Sequence, residues 1–76
     1  MQKKMGQDTT KLTIAERIAR HEGALTADEL ATMLGVSKRT IERRARHGTI
    51  PRFYVGSLVR FDPAAIAKWL REVGDV

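Results

Sequence analysis

The chain has 76 residues, of which 42% are hydrophobic and 30% are charged, and it contains no cysteine. Its formal net charge is +5 at pH 7. This length allows one domain at most, the composition excludes a wholly disordered chain, and the missing thiols exclude disulfides and thiolate metal sites.

No apolar run of the sequence approaches the roughly 18 residues that a membrane span requires. The N-terminus is polar and basic and lacks the apolar segment of a secretory leader. We therefore expect a cytoplasmic protein with no membrane partner. Residues 1–11 offer almost nothing to bury and are predicted to form a flexible basic tail, and residues 12–76 are predicted to form the single folded domain.

The positive charge is concentrated in the middle of the chain. Residues 38–60 carry seven basic side chains, six of them arginine, and one acidic side chain, Glu42. A block of one sign is the electrostatic signature of a protein that binds phosphate groups. Arginine in particular suits bidentate contacts with phosphates and guanines.

The first predicted helix covers residues 14–22. Thr13 precedes it and Glu16 follows three residues later, which is the spacing of a capping box. Gly23 is expected to end the helix. Its predicted apolar stripe consists of Ile14 and Ile18, with Ala15 and Ala19 beside them.

Two further helices are predicted on either side of the short segment Gly35-Val36-Ser37. Thr26 is the expected cap of the earlier helix, with Glu29 as its capping-box partner, and Gly35 is expected to end it in a left-handed conformation. Ser37 is the expected cap of the later helix, which Gly48 closes. This is the spacing of a helix-turn-helix. The predicted inward positions are Leu30, Met33, Leu34, Ile41 and Ala45.

The sequence period changes from helical to alternating after Gly48. Two short strands are predicted over residues 52–55 and 58–61, joined by the turn Gly56-Ser57. The face expected to turn inward consists of Phe53, Val55, Val59 and Phe61. The face expected to turn outward consists of Arg52, Tyr54, Leu58 and Arg60.

Asp62-Pro63 predicts the start of a last helix, with Asp62 as the cap, and Gly74 is expected to end it. Trp69 belongs to the apolar stripe of this helix, so we expect it to pack in the core rather than stack on bases. The other members of the stripe are Ile66 and Leu70. The predicted fold class is mainly α with a small β-hairpin, a winged helix-turn-helix with an extra N-terminal helix and a C-terminal helix.

The basic third helix is the main candidate for a DNA-binding site. A recognition helix reads base edges from its N-terminal end and from one turn further on, which makes Arg39 and Arg43 the candidates for guanine contacts. The residues expected to hold phosphates are Lys38, Thr40, Arg44 and Arg46. With the cap, the predicted recognition-helix residues are Ser37, Lys38, Arg39, Thr40, Arg43, Arg44 and Arg46. The alternative is a solvated helix with surplus arginine.

The hairpin is the second candidate DNA contact. Arg52, Tyr54 and Arg60 are predicted to project from one face of a wing onto the DNA backbone or into the minor groove. The alternative is an ordinary hairpin that only covers the core.

Catalysis and metal binding are not expected. His21 and His47 are far apart in sequence, with no cysteine and no carboxylate at ligand spacing. The sequence has no phosphate-binding glycine loop and no nucleophile beside a plausible base. We expect no metal, no cofactor, no small-molecule substrate and no enzymatic activity.

The order of short motifs over residues 25–71 resembles a known family, the small winged-helix DNA-binding proteins of the excisionase type, which are related to MerR-like DNA-binding domains. The motifs that carry the resemblance are Leu25-Thr26, Glu29-Leu30-Ala31, Leu34-Gly35-Val36-Ser37, Arg39-Thr40-Ile41, Gly48-Thr49-Ile50-Pro51, Val55-Gly56, Arg60-Phe61 and Ala67-Lys68-Trp69-Leu70.

The resemblance implies a recombination directionality factor, an accessory protein of phages and integrating mobile elements. Such proteins bind adjacent sites, often cooperatively, and bend attachment-site DNA so that a tyrosine integrase excises the element; they break no bond themselves. The family's recognition face falls here on residues 38–43 and its wing on residues 52–60. Two features depart from the family pattern. The wing tip, Ser57-Leu58, is not basic, and the helix over residues 14–22 either completes the core or packs on a neighbouring protein.

The sequence leaves three functions open. The first is an excisionase-type protein that binds double-stranded DNA, with a tyrosine integrase and further copies of itself as partners. The second is a small winged-helix transcriptional repressor; a MerR-like activator is disfavoured because it needs a long dimerisation helix and this sequence ends at Val76. The third is a protein-interaction module whose basic block meets an acidic partner.

Overall fold

The computed structural model describes residues 12–73. In chain order its elements are α1 (Ile14–Ala19), α2 (Ala27–Leu34), α3 (Lys38–His47), β1 (Phe53–Val55), β2 (Leu58–Arg60) and α4 (Pro63–Val73). The two strands pair in antiparallel fashion. This architecture confirms the predicted fold class. The predicted N-terminal tail and the predicted helix end at Gly74 lie outside the described residues.

The core lies where α1 packs against α4 and α2 packs against α3. The helices supply part of it, and the connecting segments supply the rest through Leu25, Ile50 and Phe61. The fully buried large side chains are Ile18, Leu25, Leu30, Ile41, Ile50, Phe61 and Ile66. Half-buried side chains pack around them, namely Met33, Leu34, Val59, Trp69 and Leu70. Trp69 therefore packs against the core, as predicted.

A backbone bridge attaches the hairpin to the helices. The Leu25 N–H donates to the Phe61 carbonyl at 2.8 Å, and the Phe61 N–H donates to the Leu25 carbonyl at 2.9 Å. Both side chains are fully buried. Because Phe61 directly follows β2, this bridge fixes the base of the wing to the helical part of the fold.

Both predicted capping boxes are confirmed. In each, the threonine Oγ1 accepts a hydrogen bond from the glutamate N–H at 3.1 Å, and the glutamate Oε1 accepts from the threonine N–H at 2.9 Å. The pairs are Thr13–Glu16 and Thr26–Glu29. The hydrogen bond from the Thr26 backbone N–H holds the pKa of Glu29 below its ordinary value of 4.5, and nearby His21 and Arg60 act in the same direction.

Helix α1 is shorter than predicted. It ends at Ala19 with Arg20 as its C-cap, rather than at residue 22. The physical reason is the bridge at Leu25, because residues 20–24 must turn the chain out of the helix and into the extended direction of that pairing. The left-handed conformation of Gly23, with φ +80°, belongs to this connection and not to the helix end.

The buried side of α1 also differs from the prediction. Ile18 is fully buried, but its partner is Ala15, at 2% exposure, while Ile14 is 46% exposed. The side that packs on α4 therefore follows a spacing of three residues rather than four. Through Ile18 this helix completes the core, which was one of the two roles expected for it.

The predicted division of the hairpin into an apolar and a basic face is wrong. Val55 pairs with Leu58 across the two-residue turn, and Phe53 pairs with Arg60. Residues directly opposite in an antiparallel pair share a face, so Phe53 and Val55 lie on the face of Leu58 and Arg60, away from Val59. Accordingly Phe53 is 42% exposed and Val55 is 58% exposed, and only Val59 and Phe61 turn toward the core.

Candidate nucleic-acid interface

Helix α3 is held at both ends and along one buried side. Ser37 caps its N-terminus, with its Oγ accepting from the Thr40 N–H at 3.1 Å. Gly48 closes its C-terminus at φ +75°, a left-handed conformation that glycine adopts without steric cost. Ile41 and Ala45 are each 2% exposed. The helix is thus fixed to the fold while its remaining sides stay available.

The turn before α3 is tight. Gly35 ends α2 at φ +72°, and the Val36 N–H donates to the Ala31 carbonyl at 3.0 Å. Ala31 is itself buried, and its small side chain lets α3 pack closely on α2. The turn therefore fixes the angle between α2 and α3.

The side of α3 opposite Ile41 and Ala45 carries an arginine stripe, which consists of Arg39, Arg43 and Arg46. Their spacing of four and three residues places them on one helical face, and together they line one concave surface. All three are exposed. Among residues 12–73, none of them forms an ion pair within 4.0 Å. The stripe is therefore available to a polyanion.

Thr40 and Arg44, also predicted to contact DNA, lie on a different side of α3. They line a groove between α3 and α4 whose other walls include Leu34 and Trp69. The Thr40 Oγ1 lies 2.9 Å from the Ser37 Oγ, so this hydroxyl already has a partner within the cap. Neither residue belongs to the arginine stripe, and their position suits contacts at the flank of a bound duplex.

Lys38 is engaged by two carboxylates. Its Nζ lies 3.6 Å from Asp28 Oδ2 on α2 and 3.9 Å from Glu42 Oε2 one turn along α3. All three side chains are about half exposed or more, and exposed ion pairs are weak. Lys38 therefore remains able to reach a phosphate, but only in competition with these acids. The partner on α2 could not be found from sequence, because it comes from another element.

The predicted wing residues do not share one face. Tyr54 pairs with Val59 and is 54% exposed, whereas Arg60 pairs with Phe53 on the opposite face. Arg60 is half-buried, and its Nη1 donates to the Val59 carbonyl at 2.8 Å. The expectation of a single basic outer face is therefore wrong, because the register of a two-residue turn divides these residues between two faces.

Arg52 lies beside the end of α3. A Cβ atom built on Gly48 would stand 3.6 Å from Arg52 Nη2, so the guanidinium group covers the C-terminus of the helix, where the helix dipole favours positive charge. Arg52 is exposed. It extends the positive surface of α3 toward the wing.

One face of the wing, which Arg60 shares from a half-buried position, carries exposed apolar side chains where the sequence suggested a basic surface. This apolar wing face consists of Phe53, Val55 and Leu58, which are 42%, 58% and 54% exposed. The pairing of Val55 with Leu58 and of Phe53 with Arg60 places these three apolar side chains on one face. The two-residue turn Gly56-Ser57 predicts this pairing, so the apolar wing face could have been found from the sequence.

Residues 12–73 contain neither a metal-binding cluster nor a membrane-spanning helix. These residues contain no group of three or more histidine, aspartate or glutamate side chains arranged to hold a metal ion. None of the helices formed by them is long and apolar enough to cross a membrane.

Comparison with known proteins identifies the family. Residues 24–73, more than half of the chain, match the family model described as a helix-turn-helix domain, and only α1 among the described elements lies outside the match. No curated protein and no solved structure gives a significant match. The chain belongs to the helix-turn-helix domain family, a family of DNA-binding domains that includes excisionase-like proteins.

Proposed function

We propose that this DNA-binding protein is an excisionase-type architectural factor. It binds adjacent sites on double-stranded DNA cooperatively, bends an attachment region and directs a tyrosine integrase toward excision. Its own chemistry is binding and not bond cleavage. The single observation that carries the DNA-binding mode is the arginine stripe on the exposed side of a capped helix that follows a tight turn.

In this proposal α3 lies in the major groove. An α-helix with its side chains is about 10–12 Å across, which suits a groove about 12 Å wide. Arg39 and Arg43 face the base edges and select guanines, because a guanidinium group can donate to O6 and N7 together. Arg46, one turn further on, meets the phosphates at the groove edge.

The wing extends the contact to the flanking backbone. Arg52 stands at the end of α3 and is exposed, so it reaches a phosphate next to the groove that α3 occupies. Tyr54 lies on the face opposite Arg60 and is exposed, so its hydroxyl is a further backbone donor. Arg60 adds positive charge from a half-buried position.

The apolar wing face supports binding by several copies. A small helix-turn-helix buries a limited area on DNA, so stable occupancy depends on contacts between neighbours on adjacent sites. Phe53, Val55 and Leu58 offer an exposed apolar surface for such contacts, and a patch of this kind is typical of a protein interaction site. This observation favours the excisionase over the solitary repressor.

The proposal is tested by gel-shift titration on the attachment region and upstream DNA of the element that encodes the protein, with circularly permuted probes that report bending. A ladder of successive, increasingly bent complexes is expected, together with stimulation of excision and suppression of integration when the cognate integrase is added. A single unbent complex over a promoter, without effect on the integrase, would identify a transcriptional repressor instead.

A further inference from the structure

Glu42 is the one acidic residue of the basic block over residues 38–60. Its side chain is 46% exposed and lines the same surface as the arginine stripe. A carboxylate pressed against DNA is repelled by phosphates and loses hydration, so it needs a partner that donates hydrogen bonds. Glu42 therefore either weakens the interface or recognises a donor on the DNA.

The position of Glu42 favours a base edge as that donor. Glu42 is shared by two concave surfaces, the one lined by the arginine stripe and the groove between α3 and the wing, which Ser57 and Arg60 also line. The Lys38 Nζ lies 3.9 Å from Glu42 Oε2 and is closer to Asp28 Oδ2, at 3.6 Å. The carboxylate thus stands beside the guanine-reading arginines and is only weakly engaged within the protein.

The base edges of the major groove differ in what they offer a carboxylate. Guanine presents O6 and N7 and thymine presents O4, all of which are acceptors that repel it. Adenine presents an N6 amino group beside the acceptor N7, whereas cytosine presents its N4 amino group as a donor. Cytosine is therefore the base whose major-groove edge a carboxylate on this helix recognises best, because its N4 amino group donates a hydrogen bond.

On the basis of the proposed major-groove placement of α3, we infer that Glu42 is a specificity-determining residue that accepts a hydrogen bond from the N4 amino group of a cytosine. That cytosine lies next to the bases read by Arg39 and Arg43, on the side of α3 that faces the wing. Glu42 also excludes sites that would place a guanine or thymine acceptor at that position.

The test is selection of duplexes from a randomised library by the parent protein, by Glu42→Gln and by Glu72→Gln. Glu72 is a matched control, because it pairs with Lys68 at i,i+4 and 3.9 Å on α4, as Glu42 pairs with Lys38 on α3. Glutamine donates as well as accepts and suits adenine N6 and N7. Circular dichroism verifies that both variants fold.

The parent and Glu72→Gln are expected to select one motif with a cytosine beside its guanines. In Glu42→Gln the preference for cytosine over adenine at that position is expected to fall on the order of tenfold, with the rest of the motif unchanged. An unchanged cytosine preference in Glu42→Gln, or a parent motif without such a cytosine, would overturn this inference alone. A parent that selects no motif would overturn the proposed function together with it.

Discussion

Replacing Arg43 by alanine tests the groove placement of α3 residue by residue. Arg43 lies directly opposite the buried Ile41 and Ala45 on the helix. It is exposed and forms no ion pair with another residue of the 12–73 segment. Its loss should therefore change the free energy of unfolding by no more than about 0.5 kcal/mol, and the effect should appear in DNA binding.

The size of the effect depends on what Arg43 touches. Loss of a bidentate guanine contact costs about 1–3 kcal/mol on the specific site, which is about 5- to 150-fold in affinity, and costs much less on a scrambled duplex. Loss of a phosphate contact weakens both duplexes alike and lowers the slope of log affinity against log salt by about 0.9. We expect the first result for Arg43→Ala.

Arg52→Ala is the matched control, because Arg52 is also an exposed arginine but lies at the C-terminal end of α3. We expect it to weaken the specific and the scrambled duplex equally and to lower the salt slope by about 0.9. Fluorescence anisotropy titrations of both duplexes over a range of salt concentrations give these quantities. Equal losses on the two duplexes for Arg43→Ala, with the salt slope of Arg52→Ala, would refute the assignment of Arg43 to a base.

Three further predictions concern stability, pH and self-association. Ile41→Ala, at a position 2% exposed, should lower the free energy of unfolding by about 2–5 kcal/mol in urea titrations; a loss as small as that of Ile14→Ala, at 46% exposure, would contradict the core assignment. The hydrogen bond from the Thr26 backbone N–H lowers the pKa of Glu29 in the folded state from its ordinary value of 4.5. The ionised carboxylate therefore stabilises the fold above pH 4.5, and this stabilisation is lost as the pH falls through the lowered pKa. The melting temperature of Glu29→Gln should therefore depend less on acidification than that of the parent, and equal dependence would count against the capping box as the cause. Val55→Ser, at a position 58% exposed, should keep the affinity for one isolated site but lose cooperativity on adjacent sites, and a parent-like ladder from this variant would exclude the apolar wing face as the contact between copies.

The sequence predicted the helices well because their signals are local. Capping boxes, left-handed glycines and the spacing of buried residues all act within about one turn of helix. Thr26 with Glu29, and Ser37 before α3, were therefore predicted at the residues where the structure has them. The same local geometry predicted Arg39 and Arg43 for the exposed side of α3, where the structure has them. It did not predict that Arg46 joins them or that Thr40 lies on another side.

The errors arose where one element meets another. The end of α1 is determined by the pairing of Leu25 with Phe61, which are distant in sequence. The faces of the hairpin were assigned strand by strand, although the turn makes Val55 and Leu58 neighbours on one face. The contact of Lys38 with Asp28 joins two helices. None of these follows from periodicity within a single segment.

Whether α3 reads the major groove can be measured by methylation interference on the selected DNA site. Dimethyl sulfate modifies guanine at N7 in the major groove and adenine at N3 in the minor groove. N7 methylation of the guanines read by Arg39 and Arg43 should block binding by the parent protein, and Arg43→Ala should become insensitive to methylation of one of them. Interference confined to adenine N3, or no interference at any guanine, would contradict the major-groove placement of α3.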